Sequence, residues 1–169
     1  MTGTAQLTGG GNPHAFIYNG TMHDLGTLGG SFSEGLSINA RGWVTGDSYT
    51  AGDAEDHAFF YDGTMHDLGT FGGTLSNGQG INASGQEVGY SNLAGDNDSH
   101  AFLYTTGTGV IDLNSLIDPL SGWELQQADA VNDAGQITGF GMINGESDAF
   151  LLTPKLLRVT IPQCLYQGQ

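Results

Sequence analysis

The stretch HAFIYNGTMHDLGTLGG, residues 14–30, returns as HAFFYDGTMHDLGTFGG at residues 57–73, and this self-similarity constrains the fold more than any other feature. His-Ala-Phe begins at His14, His57 and His100, 43 residues apart each time, and Asp148-Ala-Phe follows 48 residues later. A period of that length is the mark of one supersecondary unit repeated, here in four registers. Ile38-Asn39, Ile81-Asn82 and Val131-Asn132 keep the same ruler. Each has Gly three residues after the Asn and a second Gly four residues further, at Gly46, Gly89 and Gly139. Asn and Gly at those offsets suit a tight turn, because Asn bonds local backbone and Gly tolerates positive φ.

Within a unit, runs of about five to eight residues alternate with turn signals, too short and too glycine-broken for helices. The pattern predicts four strands: LSINA (36–40), WVTGDS (43–48), HAFFY (57–61) and TMHDLG (64–69). Asn19-Gly20 and Asp62-Gly63 predict two-residue hairpin turns between the third and fourth. The 29 glycines and four prolines lack a collagen spacing, and 38% hydrophobic residues suffice for a packed core. Four antiparallel strands in about 43 residues have the size and order of a propeller blade; a β-solenoid is the alternative, although its coils are usually shorter. The expected fold is all-β, a β-propeller-like array of about four four-stranded antiparallel blades, incomplete at the termini. Residues 1–154 form a single repeat domain with units near 1–30, 31–73, 74–118 and 119–154, and residues 155–169 form a tail.

The same ruler sets Met1 where Val44 stands, so the first unit lacks its first strand. At the other end AFLLTP (149–154) completes a third strand, and KLLRVTIPQCLYQGQ matches nothing in the repeat. Leu156 to Ile161 are expected either to supply the missing fourth strand or to belong to an appended sequence. An incomplete sheet leaves an edge that pairs readily with a second copy, which predicts a homodimer.

In its His-Ala-Phe, DLGTLGG and IN-x-x-G elements the chain resembles the HAF-repeat proteins of bacteria, over residues 2 to about 154. The pattern is fullest in His14–Gly30 and His57–Gly73. The third unit departs at Asp112-Leu113-Asn114 and in an insertion through Gly122-Trp123, and the fourth carries Asp148 in place of His. The resemblance implies an extracellular or periplasmic, propeller-like protein and no particular chemistry. The chain shows no charged-then-apolar leader, so a secretion signal is expected to lie outside it.

Three Lys plus Arg against 18 Asp plus Glu give a formal charge of −15. Such a surface repels nucleic-acid phosphates and anionic membranes and favours cations as partners. No run reaches 18 apolar residues, and the single Cys164 has no internal partner for a disulfide.

Strand-two-to-three loops and inter-unit loops emerge at one end of such units. That face is expected to collect residues 52–56, 95–99 and 144–148 beside the glycine-rich loops 26–31 and 69–74. Alternating carboxylate and amide oxygens suit a hard cation. Calcium is therefore the expected cofactor, with Asp53, Asp56, Asp96, Asn97, Asp98 and Asp148 as its ligands. His57 and His100 start the third strands beside these acids and are the expected general bases. With two-residue turns, His23 and His66 stand opposite Phe16 and Phe59, leaving His14 and His57 as their diagonal neighbours at about 7–8 Å, long for zinc. Asp24 and Asp67 are expected to bond turn amides. GTLGGS and GTFGGT lack the Lys of a phosphate cradle, and Gly29-Gly30-Ser31-Phe32-Ser33 lacks the closing Gly of a nucleophile elbow. The function read from this pattern is calcium-dependent hydrolysis of a small lactone or ester by metal-activated water, by fold-level likeness to gluconolactonase- and paraoxonase-type propellers. The alternative is a non-catalytic extracellular module that binds a glycan or a protein.

Overall fold

Hairpins dominate because each unit's turns are set by Asn and Gly. The computed structural model describes residues 1–6 and 9–155; the expected strand at 156–161 and Cys164 lie outside them. The first unit holds β1 (Thr2–Gln6), β2 (Pro13–Tyr18) and β3 (Met22–Asp24). The second holds β4 (Gly29–Ile38), β5 (Val44–Thr50), β6 (Asp56–Tyr61) and β7 (Met65–Asp67). The third holds β8 (Gly72–Ile81), β9 (Glu87–Leu93), β10 (Ser99–Thr105) and β11 (Gly109–Asp112), and the fourth β12 (Trp123–Val131), β13 (Ile137–Ile143) and β14 (Glu146–Leu152). Among the described residues there is no α-helix, so the chain is all-β as expected, with short 3₁₀ turns at Ala51–Asp53 and Leu113–Leu116. The sheets have three, eight and three strands. The eight-stranded sheet is two antiparallel runs, β4 to β7 and β8 to β11, joined by one parallel bridge from Asp56 to Leu75.

Two local expectations are corrected. The first strand of a unit begins at Gly29 and Gly72 rather than at residue 36, so the second Gly of each Gly-Gly pair and the residues after it are strand, not loop. Gly29 and Gly72 enter with φ of 103° and 101°, a conformation that favours glycine. Leu28 and Phe71 bridge to Thr50 and Leu93 just before them. The turns after β2 and β6 hold three residues, not two, since Tyr18 pairs with Met22 and Tyr61 with Met65. One extra residue flips every side chain beyond the turn. His23 therefore faces Ile17 and Asp24 faces Phe16, and likewise His66 faces Phe60 and Asp67 faces Phe59.

Strand alternation sends neighbouring side chains to opposite seams. Phe59 packs with Ala15, Leu25 and Val44 between the first and second units. Phe60 turns the other way, with ring centroids 5.5 Å from Trp43 and 5.3 Å from Tyr104 of the third unit. Val88, Ala101, Leu113, Leu125 and Phe150 fill the seam between the third and fourth. The recurring glycines divide into two roles. Gly42, Gly85 and Gly135 sit in turns with φ of 75–84°. Gly46, Gly89 and Gly139 lie in strands, where an added Cβ would collide with the carbonyl oxygens of Glu34, Asn77 and Gln127.

The turn asparagines also tie the units in series. Asn39 Nδ2 donates to the Asn82 carbonyl at 2.9 Å, and Asn82 Nδ2 to the Asn132 carbonyl at 3.0 Å. Each Oδ1 meanwhile accepts two backbone N–H groups of its own turn.

Candidate functional site

The β5–β6, β9–β10 and β13–β14 hairpins carry the residues expected to hold calcium. Asp53, at φ 56°, accepts Ser31 N–H at 2.7 Å and the Ser31 hydroxyl at 2.9 Å. Asp96, also at φ 56°, accepts Thr74 N–H at 2.7 Å and the Thr74 hydroxyl at 3.1 Å. The Thr74 amide is the main reason its carboxyl is held below the usual range. These two aspartates clamp the glycine-rich entries to β4 and β8. Asp148 accepts the Ala149 N–H at 2.8 Å, while Asn97 and Asp98 stay on the exposed β9–β10 loop. Asp56 begins β6 and has a buried Oδ1 with no hydrogen-bond partner. The six side chains are thus spread over three hairpins. Among the described residues, no three His, Cys, Asp or Glu side chains converge as a metal-ligand set.

The histidines of the repeat are bonded to carboxylates. His14 Nδ1 lies 3.0 Å from Asp24 Oδ1, His57 Nδ1 2.8 Å from Asp67 Oδ1, and His100 Nδ1 2.7 Å from Asp112 Oδ2. In the same places Asp24 and Asp67 Oδ1 accept the N–H of Gly26 and Gly69, and Asp112 Oδ1 that of Asn114. His57 Nε2 is taken by Glu55 at 2.8 Å, so both of its nitrogens are committed. The three-residue turn explains the pairing: it puts Asp24, not His23, on the face of His14. His23 and His66 instead bond to Asn19 and Asp62 at the turn. Ser48, cross-strand neighbour of His57, is fully buried; its hydroxyl accepts Leu28 N–H and donates to the Phe32 carbonyl. That hydroxyl is a structural tie, not an activated nucleophile.

The least expected chemistry lies in the seam between the second and third units. Asp47 is 5% exposed, accepts Asn77 Nδ2 at 2.6 Å, and lies within hydrogen-bond reach of Asp56. Burial first, then the charges of Asp56 and Glu34, push its carboxyl up to about 7. Burial also raises Asp56. Burial and these two aspartates raise the Tyr90 hydroxyl. Further along the seam Glu87 is fully buried, and both carboxylate oxygens lack a partner, as does the neighbouring Thr45 hydroxyl. Burial raises Glu87 well above the ordinary glutamate value, and the neighbouring Thr45 hydroxyl offsets only part of that rise.

Reading the residues loop by loop missed these acids, although a comparison of units contains the signal. Glu87 stands where Val44 and Ile137 are buried in their own units, while Asp47 takes the place of Thr4, Tyr90 and Phe140. A carboxylate at a core position of a repeat is the anomaly to look for.

Two open hollows flank the array. One of about 320 Å³ is lined by His14, Phe16, Met22 and Asp24 on the first unit, and one of about 220 Å³ by Ile117, Trp123, Phe150 and Leu151 on the fourth. Neither contains His57 or His100. Compared with protein-family models, curated proteins and solved structures, the chain finds no match.

Proposed function

We propose that the chain is a non-catalytic binding module of the HAF-repeat type. In this reading it is a propeller-like array of four blades that acts outside the cytoplasm and holds a basic protein surface against its acidic hairpin end. The observation that carries this reading is the commitment of Asp53, Asp96 and His57, three of the side chains the hydrolase would use. Asp53 and Asp96 are occupied by Ser31 and Thr74, and His57 by Glu55 and Asp67. Asp98 and Glu146 remain exposed on the same hairpin end, within a chain that has only three Lys plus Arg. Of those three, Arg41 stacks on Trp43, 4.6 Å from the ring centroid. A patch of uncompensated carboxylates attracts a cationic partner and speeds its association.

The test is titration calorimetry with a lysine-rich peptide at two salt concentrations. Wild type is compared with an Asp98→Lys, Glu146→Lys variant and with the same charge change at the far end, Asp62→Lys, Asp129→Lys. Binding weakened at least tenfold by the first pair and little by the second supports the reading. Equal loss from both pairs reduces the effect to net charge and sinks it. Tight binding of neutral oligosaccharides instead identifies a glycan module, and calcium-dependent turnover of a lactone or ester restores the hydrolase.

A further inference from the structure

We propose that the seam between the second and third units is a proton-controlled joint, closed while Glu87 is neutral and loosened when it ionises. The seam is suited to this because little backbone crosses it. One parallel bridge joins Asp56 to Leu75, and side-chain bonds such as Asn39 to Asn82 and Ala58 N–H to Ser76 Oγ add to it. The rest is packing. Trp43 lies against Gly85, where a Cβ would sit 2.5 Å from the indole ring, and Phe60 packs on Tyr104.

Glu87 stands inside that packing at the position of Val44 and Ile137, both core residues. Gly78 makes the room, since a Cβ there would collide with Thr45 Oγ1 and lie 2.5 Å from Glu87 Oε1. A neutral carboxyl fits such a site at modest cost, whereas an ionised one with no bonded partner does not.

The groups around it offer no compensating charge. β5 presents Thr45, with Asp47 two residues along; β8 presents Ile81 opposite it and Gly78; β10 presents Tyr104 across the ladder. The Tyr104 hydroxyl is itself raised by burial, then by the charges of Glu87 and Asp62, so it stays neutral beside Glu87. Glu34 and Asp56 add negative charge around Asp47. The arginine nearest in sequence to this seam is already held on Trp43. Because the folded value is raised, the contribution of Glu87 is fully present below about 4.5 and is lost as pH climbs through the raised value.

The experiment is native-state hydrogen exchange on the full chain from pH 5 to pH 9, corrected for intrinsic exchange rates. It compares wild type with Glu87→Gln, which keeps the shape and cannot ionise, and with Glu87→Val, which restores the residue type of the other units. Wild type should lose at least tenfold protection in β5, β8 and β9 across this range while β2 and β12 hold theirs. Both variants should lose less protection than wild type, keeping only the part that Asp47 contributes, and an Asp47→Asn control should retain the Glu87-dependent part. A wild-type profile shared by Glu87→Gln overturns the proposal, as does a loss spread evenly over all four units. If Glu87→Gln fails to fold, the comparison rests on Glu87→Val, whose retention of the wild-type pH loss is equally decisive.

Discussion

Asp53 reaches back across 22 residues to take both the backbone N–H and the hydroxyl of Ser31, and Asp96 repeats the same bond pair with Thr74 one unit later. Two of the six expected calcium ligands thus fasten the chain's own strand entries. Asp53→Ala should lower the melting temperature by roughly 2–4 °C, since an exposed charge-assisted bond of this kind contributes about 1 kcal/mol. Differential scanning calorimetry with and without calcium checks this. A variant that melts like wild type in chelator, but loses a calcium-induced gain seen in wild type, would return Asp53 to the metal.

The asparagine ladder predicts a position-dependent cost. Asn82 is 4% exposed, caps its own turn, receives Asn39 and donates to the Asn132 carbonyl. Asn39 has one such neighbour unit to reach. Replacing Asn82 by Ala leaves part-buried backbone groups without their protein partner and should cost on the order of 1–3 kcal/mol, more than Asn39→Ala. Urea denaturation of both variants ranks them, and equal midpoints would remove the series arrangement.

Much of the fold was legible because the repeat states it again and again: Asn39, Asn82 and Asn132 mark turns, and the Ala-Phe pair marks a strand whose Phe is buried at Phe59, Phe102 and Phe150. What failed was local and traceable. Asn19-Gly20 and Asp62-Gly63 signal a hairpin, but dipeptides do not fix whether a third residue joins the loop, and that one residue moved Asp24 and Asp67 onto the histidines. Gly29 and Gly72 read as loop, since positive φ at a strand entry looks the same in sequence as positive φ in a turn. The carboxylates of the second seam were missed for a different reason. Neither sits in an acidic loop: Glu87 is a lone carboxylate in a strand where its sibling units carry Val44 and Ile137, and Asp47 lies in another strand.

Assembly offers a third test. Among the described residues β14 pairs with β13 alone, and Leu151 on it is 61% exposed. An edge strand with an exposed Leu and no second partner among the described residues favours strand addition by a second copy. Light scattering at micromolar concentration should therefore give twice the 17.6 kDa chain mass, and Leu151→Lys should shift it toward one. A single-chain mass for wild type ends the dimer reading.

The last prediction concerns Asp47 and has a definite sign. Its carboxyl is ordinarily near 3.8 and is pushed up to about 7 in the fold, by burial and by the neighbouring Asp56 and Glu34 charges. A raised carboxyl binds its proton more tightly folded than unfolded. Its contribution is therefore fully present below about 3.8 and is lost as pH rises through about 7. A shift of this size corresponds to a stability change on the order of 4 kcal/mol. Wild-type melting temperature should fall between pH 4 and pH 8. Asp47→Asn, whose amide oxygen still accepts Asn77 and whose NH₂ can donate to Asp56, should flatten that part of the curve without removing the loss assigned to Glu87. Thermal melts at closely spaced pH values separate the two. If Asp47→Asn leaves the fall between pH 4 and pH 8 unchanged, the proton is held by another member of the cluster, and Asp56→Asn is the variant that should then remove it.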